Sequence, residues 1–292
     1  MSEQSFMQKL QAKWDEGKFV CVGLDSELAK IPDSAKGKDD ERTLVNFACA
    51  IVDSTRDLVC AYKPNIAFYE AEPEGVYALD QIINHIRHVA PGVPVILDAK
   101  RGDIGNTNKG YVKAAFEQLW VDAITVSPYL GREAMQPFLD RADKGIFVLC
   151  RTSNPGAGEF QDLEVRTPVP ADAEYVMPTS DSSMPVYQYV ARQVAKDWNS
   201  NGNCGLVVGA TYPDELRQVR KIVGDMPILI PGLGAQGGDL EATVKTGKNS
   251  RNQGIIINSS RGIIFASSGD DYTEVARHET QHLHDQITAA LA

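Results

Sequence analysis

The stretch PVILDAKRGD, residues 94–103, runs from a proline through Val95, Ile96 and Leu97 straight into a dense row of charges. An apolar run too short for a helix, not alternating, and closed by a polar cluster is the mark of a parallel strand covered on both faces. The pattern recurs along the chain. Before it come FVCVGLD (19–25) and LVCAYKPN (58–65), and after it AITVSP (123–128), GIFVLC (145–150), CGLVVGA (204–210), PILIPGL (227–233) and GIIINSS (254–260). Helix-like stretches lie between these runs at 41–55, 75–90, 107–119, 131–142, 186–199, 213–223 and 238–246. Two more stand at 5–16, ahead of the first strand, and at 271–290, after the last. Eight strand–helix units without a shift in composition predict an α/β fold, a (β/α)8 TIM barrel spanning residues 1–292 as a single domain. An open doubly wound sheet shares the alternation but requires a reversal of strand order. One interval breaks the rhythm: residues 159–185 hold four prolines and no periodic pattern, and read as an irregular insertion after the fifth strand.

Composition narrows the class of function. With 292 residues, 43% hydrophobic and 23% charged, the chain can bury a large core, which excludes disordered, fibrous and disulfide-scaffold proteins. Twenty-nine Lys and Arg against 39 Asp and Glu give a net charge of −10, and no basic stripe offsets it, so nucleic acid is not an expected partner. The first residues, MSEQSFMQKLQAKWDEG, contain no apolar signal core, and no apolar stretch is long enough to span a membrane. Five cysteines without a CxxC pair, four of them in or beside apolar runs, suit a reducing compartment, and the expected location is cytoplasmic.

In a barrel of this kind, chemistry sits at the carboxyl ends of the strands. There the first strand presents Asp25, the second Lys63, and the third Asp98 and Lys100, followed by Asp103. A strand period of two puts Asp98 and Lys100 on one face, while Asp103 can reach back or toward a neighbouring subunit. A lysine inside an apolar run is costly unless paired. Opposite charges gathered away from water hold the lysines protonated and the aspartates ionised. The seventh and eighth strands lead into PGLGAQGGD (231–239) and NSSRG (258–262), where barrels often hold a phosphate. Glycines let backbone amides approach an anion, Gln236 offers its amide, and Arg261 offers a bidentate fork.

Taken in order, Asp25, AYKPNIAFYE, DAKRGDIGNTN, RTSNPGAG, PGLGAQGGD and NSSRG resemble the orotidine 5'-phosphate decarboxylase family over nearly the whole chain. DAKRGDIGNT carries most of that resemblance. It implies a barrel working as a homodimer, with no metal or organic cofactor, on a small-molecule substrate, orotidine 5'-phosphate. By position it makes Lys100 the proton donor, with Lys63, Asp98 and Asp103 completing its charge network. Asp103, Ile104 and Thr107 would come from the partner subunit. Asp25 and Lys63 would hold ribose hydroxyls, Ser153 the pyrimidine, and Pro231, Gln236 and Arg261 the phosphate end.

Other motifs fit less well. Residues 232–237 satisfy G-x-G-x-x-G, but the next strand ends in Asn258, Ser259 and Ser260 rather than an acidic ribose ligand. His278, Glu279 and His282 spell HExxH, with no third ligand at the usual distance, on a helix whose apolar stripe the histidines flank. His85 and His88 read as helix-surface residues, and the Arg101-Gly102-Asp103 tripeptide as coincidence. A metal-dependent sugar-phosphate aldolase on a related barrel is the alternative function; it needs an acidic ligand on the second strand, where this chain has Lys63. A non-catalytic phosphate-binding barrel would lack Lys100 or Asp98, and neither is missing.

Overall fold

The computed structural model describes residues 4–166, 183–232 and 239–292. Ten strands lie among the described residues: β1 (Val20–Leu24), β2 (Val59–Pro64), β3 (Ile96–Arg101), β4 (Ala123–Val126), β5 (Gly145–Arg151), β6 (Glu164–Arg166), β7 (Ser183–Pro185), β8 (Cys204–Val208), β9 (Ile228–Pro231) and β10 (Ile255–Ser259). Eight of them form one parallel sheet in the order β2-β1-β10-β9-β8-β5-β4-β3. Apart from the excursion through β6 and β7 and the junction of β1 with β10, the first strand with the last, neighbours in this sheet are neighbours in sequence. The reversal that a doubly wound sheet requires is absent from it.

The sheet closes on itself. Between β2 and β3, Tyr62 bridges Val95 and Asn65 bridges Asp98 in parallel, with Tyr62 N–H donating to Pro94 C=O at 3.1 Å and Ile66 N–H to Asp98 C=O at 3.2 Å. The fold is a (β/α)8 barrel, and all eight apolar runs of the sequence became its staves. Every residue of β1, β2, β4 and β8 is buried, as strands between a filled interior and an outer ring of helices must be.

The helices fall close to the stretches their periodicity marks. Phe6–Asp15 starts at a capping box in which Ser5 and Gln8 satisfy each other's backbone N–H groups. This helix plugs the amino end of the barrel. Phe6 meets Phe147 edge to face at 5.6 Å, Trp14 donates its indole N–H to Ile255 C=O at 2.9 Å, and a Cβ at Gly145 would strike the Phe6 ring at 2.4 Å. The last helix, Tyr272–Leu291, packs Tyr272 against Phe47 of the helix Asp40–Thr55. Its His278 and His282 stack on the exposed side at 6.4 Å, as surface residues. His85 is half-buried, its Nε2 2.8 Å from Asp53, while His88 is exposed.

The segment 159–185 is not irregular throughout. A short helix, Gly158–Gln161, leads into β6, which pairs antiparallel with β7, Val165 opposite Met184. The short length of these strands hid them from a periodicity reading. Arg151 at the end of β5 anchors this outgrowth: it pairs with Asp162 at 2.9 Å and lies 4.0 Å over the ring of Tyr212. Among the described residues, no helix is long and apolar enough to cross a membrane. All five cysteines are free, and burial pushes the thiols of Cys21, Cys150 and Cys204 up to about 12, which leaves them inert.

Candidate active site

At the carboxyl end of the barrel a cleft is lined by Asp25, Lys63, Asp98, Pro231, Asn258 and Arg261, among others. Several strands deliver these side chains, and Asp98 is the hub. Lys63 donates to one carboxylate oxygen, Oδ2, at 2.7 Å, and Lys100 donates to the other, Oδ1, at 2.6 Å. Thr125 of β4 adds a third contact, to Oδ1, at 3.0 Å. Lys63 is 3% exposed, so its charge is held inside the barrel wall, whereas half of the Lys100 side chain is open to solvent.

Electrostatics follow from this arrangement. Burial alone disfavours the Lys63 ammonium, but Asp98 and then Asp25 outweigh it and hold the pKa above its ordinary value. Burial likewise penalises the Asp98 carboxylate, yet Lys63 and Lys100 together keep it well below the usual carboxylate range. The buried Lys63 is therefore held as an ammonium and Asp98 as a carboxylate, with Asp25 close by. Asp25 Oδ1 is buried without a hydrogen-bond partner among the described residues, and so is Asn258 Oδ1. Two unpartnered buried acceptors on residues that line one cleft are unusual, because buried polar atoms normally find partners.

Close approach shapes the rest of the rim. Gly23 in β1 lies so near Ser260 that a Cβ there would sit 1.9 Å from its hydroxyl, so only glycine lets the loop after β10 fold over β1. Gly232, after β9, has a φ of +98°, a conformation glycine adopts without strain. Beyond it, Gln236 and most of the G-x-G-x-x-G stretch lie outside the described residues. Arg261 opens the short helix Arg261–Ile264 at the cleft's edge and is exposed.

The structure thus brings Asp25, Lys63, Asp98, Pro231 and Arg261 into one cleft, with Lys100 anchored to its central carboxylate. It does not bring in Ser153, Asp103, Ile104 or Thr107. Ser153 packs instead against the end of β8, where a Cβ on Gly209 would meet it at 2.6 Å. Asp103, Ile104 and Thr107 stand outside the cleft of their own chain, with Ile104 and Thr107 exposed. Asp103 lies at the foot of the helix Gly105–Lys113, which Asn108 ties to the neighbouring helix Gly131–Leu139 by donating to Asp103 C=O and Ala134 C=O, both at 2.6 Å.

Sequence reasoning also missed parts of the site. Thr125, the one polar residue in Ala123-Ile124-Thr125-Val126, passes for an ordinary β-branched strand residue. Asn258 drew notice only for not being acidic. The meeting of Asp98 and Lys100 was expected from a regular strand, and that reason fails. β3 bulges there: Leu97 pairs with Ile124 but Arg101 with Val126, so the two-residue period is broken between them.

A closed parallel barrel whose rim holds interlocked lysines and an aspartate beside a glycine-flanked cleft has the architecture of a (β/α)8-barrel enzyme, with its chemistry at the carboxyl ends of the strands. Comparison with known proteins narrows the class. The family model described as "Orotidine 5'-phosphate decarboxylase / HUMPS family" matches residues 18–277. A protein of Ralstonia pickettii (strain 12J) named orotidine 5'-phosphate decarboxylase is 48% identical over 283 residues, 97% of each chain. Its namesake in Azoarcus sp. (strain BH72) is 47% identical over 285 residues, 97% of this chain and 98% of that one. Among solved structures, Leishmania donovani OMP decarboxylase superposes with a TM-score of 0.80 at 35% identity, covering 99% of both chains. The chain belongs to the orotidine 5'-phosphate decarboxylase / HUMPS family.

Proposed function

We propose that this protein decarboxylates orotidine 5'-phosphate to uridine 5'-phosphate and CO2, the last step of de novo pyrimidine biosynthesis. The observation that carries the reading is the Asp98 carboxylate gripped by Lys63 and Lys100 at the barrel mouth. When the bond from C6 of the pyrimidine to its carboxyl group breaks, the electron pair stays on C6 in the ring plane, where the π-system does not delocalise it. A fixed ammonium stabilises that charge as it develops, with no reorganisation at the moment of reaction. Lys100 Nζ then gives its proton to C6, CO2 departs, and the neutral lysine regains a proton from solvent. Asp98, beside the departing carboxylate, keeps the lysine aimed.

The substrate lies with its ribose hydroxyls on Asp25 and Lys63 and its phosphate at Pro231, Gln236 and Arg261. Ser153 meets the pyrimidine edge. Asp25 lines the cleft with a carboxylate that the described residues do not saturate, which supports the first of these contacts, since hydroxyls donate to carboxylates. Binding energy from the remote phosphate holds the reacting carbon in register with Lys100.

The active unit is a homodimer in which Asp103, Ile104 and Thr107 complete the partner's site. Their position outside their own cleft supports this, as do the exposed apolar residues nearby: Ile104 at 63%, Tyr129 at 90% and Leu130 at 45%. The protein works in the cytoplasm, without metal or cofactor. Lys63 stands where a metal-dependent aldolase needs an acidic ligand, and the relatives carry decarboxylase names.

The test is to follow the ultraviolet absorbance of orotidine 5'-phosphate with purified protein in the presence of EDTA. Steady conversion to uridine 5'-phosphate, unchanged by the chelator, is the expected result. No conversion, or loss of activity restored by a divalent metal, overturns the reading.

A further inference from the structure

The bulge in β3 has a keystone. Because Leu97 pairs with Ile124 and Arg101 with Val126, four steps along β3 face only two along β4. The surplus falls on Asp98, Ala99 and Lys100, and within it Lys100 has a φ of +47°. A side-chain-bearing residue held in the left-handed region is strained, and it persists only where its surroundings impose it. The N–H groups of Ala99 and Lys100 both donate to the hydroxyl oxygen of Thr125, at 3.0 Å each. The same hydroxyl stands 3.0 Å from Asp98 Oδ1.

A hydroxyl has one proton and two lone pairs. The two backbone donors occupy the lone pairs, so the proton has a single destination, the Asp98 carboxylate. Thr125 is 1% exposed, and water does not compete for these bonds. One buried oxygen thereby fixes the backbone from which Lys100 springs and the carboxylate on which its ammonium rests.

We infer that Thr125 is a positioning residue for the reaction: its hydroxyl locks the β3 bulge and sets the placement of Lys100 against the reacting carbon. The inference rests on the decarboxylase reading and adds to it a residue that does not touch substrate.

The experiment compares Thr125→Val, which keeps the shape and deletes the hydroxyl, with Thr125→Ser, which keeps the hydroxyl. For the valine variant kcat is expected to fall about 10²-fold, the scale of a roughly 1 Å misplacement of a reacting group. KM and affinity for uridine 5'-phosphate should stay close to those of the parent. Exchange of the C6 hydrogen of uridine 5'-phosphate for deuterium, which reads proton transfer by Lys100 without CO2 loss, should fall in parallel. The serine variant should recover most of both activities. Unchanged kcat in the valine variant, a loss confined to KM, or a serine variant as impaired as valine each overturns the inference. Should the valine variant not fold, the serine variant decides: near-parental kcat supports the role, and a fall of the size expected for valine refutes it. A parent protein without decarboxylase activity refutes the function itself, whereas an active parent with an equally active valine variant refutes only the role of Thr125.

Discussion

The two ends of the barrel treat their charged groups in opposite ways. At the amino end, Arg220 of the helix Pro213–Val223 spends its guanidinium on four backbone carbonyls, those of Gly224, Met226, Gly247 and Gly254, at 2.6 to 2.9 Å. Asp122 likewise uses both oxygens, one on Lys9 at 2.6 Å and one on the Val95 N–H at 2.9 Å. At the carboxyl end, Asp25 keeps a buried carboxylate oxygen without a partner among the described residues, and Lys100 leaves half of its side chain open to solvent. Charges saturated by the protein stitch loops together and contribute stability; a carboxylate with an unpaired oxygen and a half-exposed ammonium are left for a ligand to meet. The contrast separates the stabilising face of this barrel from its reactive face, and changes at each should act on different quantities.

The largest effect belongs to the reactive end. Lys100→Ala removes both the ammonium that stabilises the developing charge and the proton that quenches it, so kcat should fall by at least about 10⁴-fold. Lys63 and Thr125 still hold Asp98, and uridine 5'-phosphate should still bind, measured by calorimetry. Near-normal turnover would break the assignment. At the other end, Arg220→Met strands several carbonyls at the loops entering β9 and β10. Unfolding in urea should show a loss of about 2–4 kcal/mol, with kcat of the folded fraction unchanged. A variant that kept its stability and lost activity would reverse the division of labour between the two ends.

What the sequence discloses follows the same line. The barrel was legible because each stave is an apolar run ended by polar residues, a pattern that burial on both faces writes into barrel strands such as Val20–Leu24 and Ile255–Ser259. Asp25, Lys63 and Asp98 were legible because a charge at the end of such a run needs a reason. Thr125 was not, since a threonine inside a strand looks like any β-branched residue and its three bonds depend on a bulge in another strand. The β6–β7 pair was not either: three-residue strands carry too few positions for a period to emerge. Lys100 was found by its motif, but the geometry that brings it to Asp98 comes from the broken register with β4 rather than from the alternation of a regular strand.

The smallest expected effect is a null one, and it tests the reactive end directly. Asp98 has its pKa lowered because Lys63 and Lys100 outweigh the burial that would raise it. A carboxylate depressed in the native state contributes stability that is fully present above its unfolded value, near 3.9, and is lost only as pH falls through the lower native value. Lys63 has its pKa raised, Asp98 and Asp25 prevailing over burial, so its contribution is fully present below the unfolded value near 10.4 and is lost only as pH rises through the higher native one. Between these limits neither group changes charge. The carboxyl carbon of Asp98, followed by NMR, should therefore hold its chemical shift from about pH 9 to about pH 4, a range in which an unperturbed aspartate begins to titrate at the acid end. A midpoint above pH 4 would mean that at least one lysine leaves the carboxylate in solution. The reactive end would then be looser than the saturated network around Arg220, rather than equally fixed but unfilled.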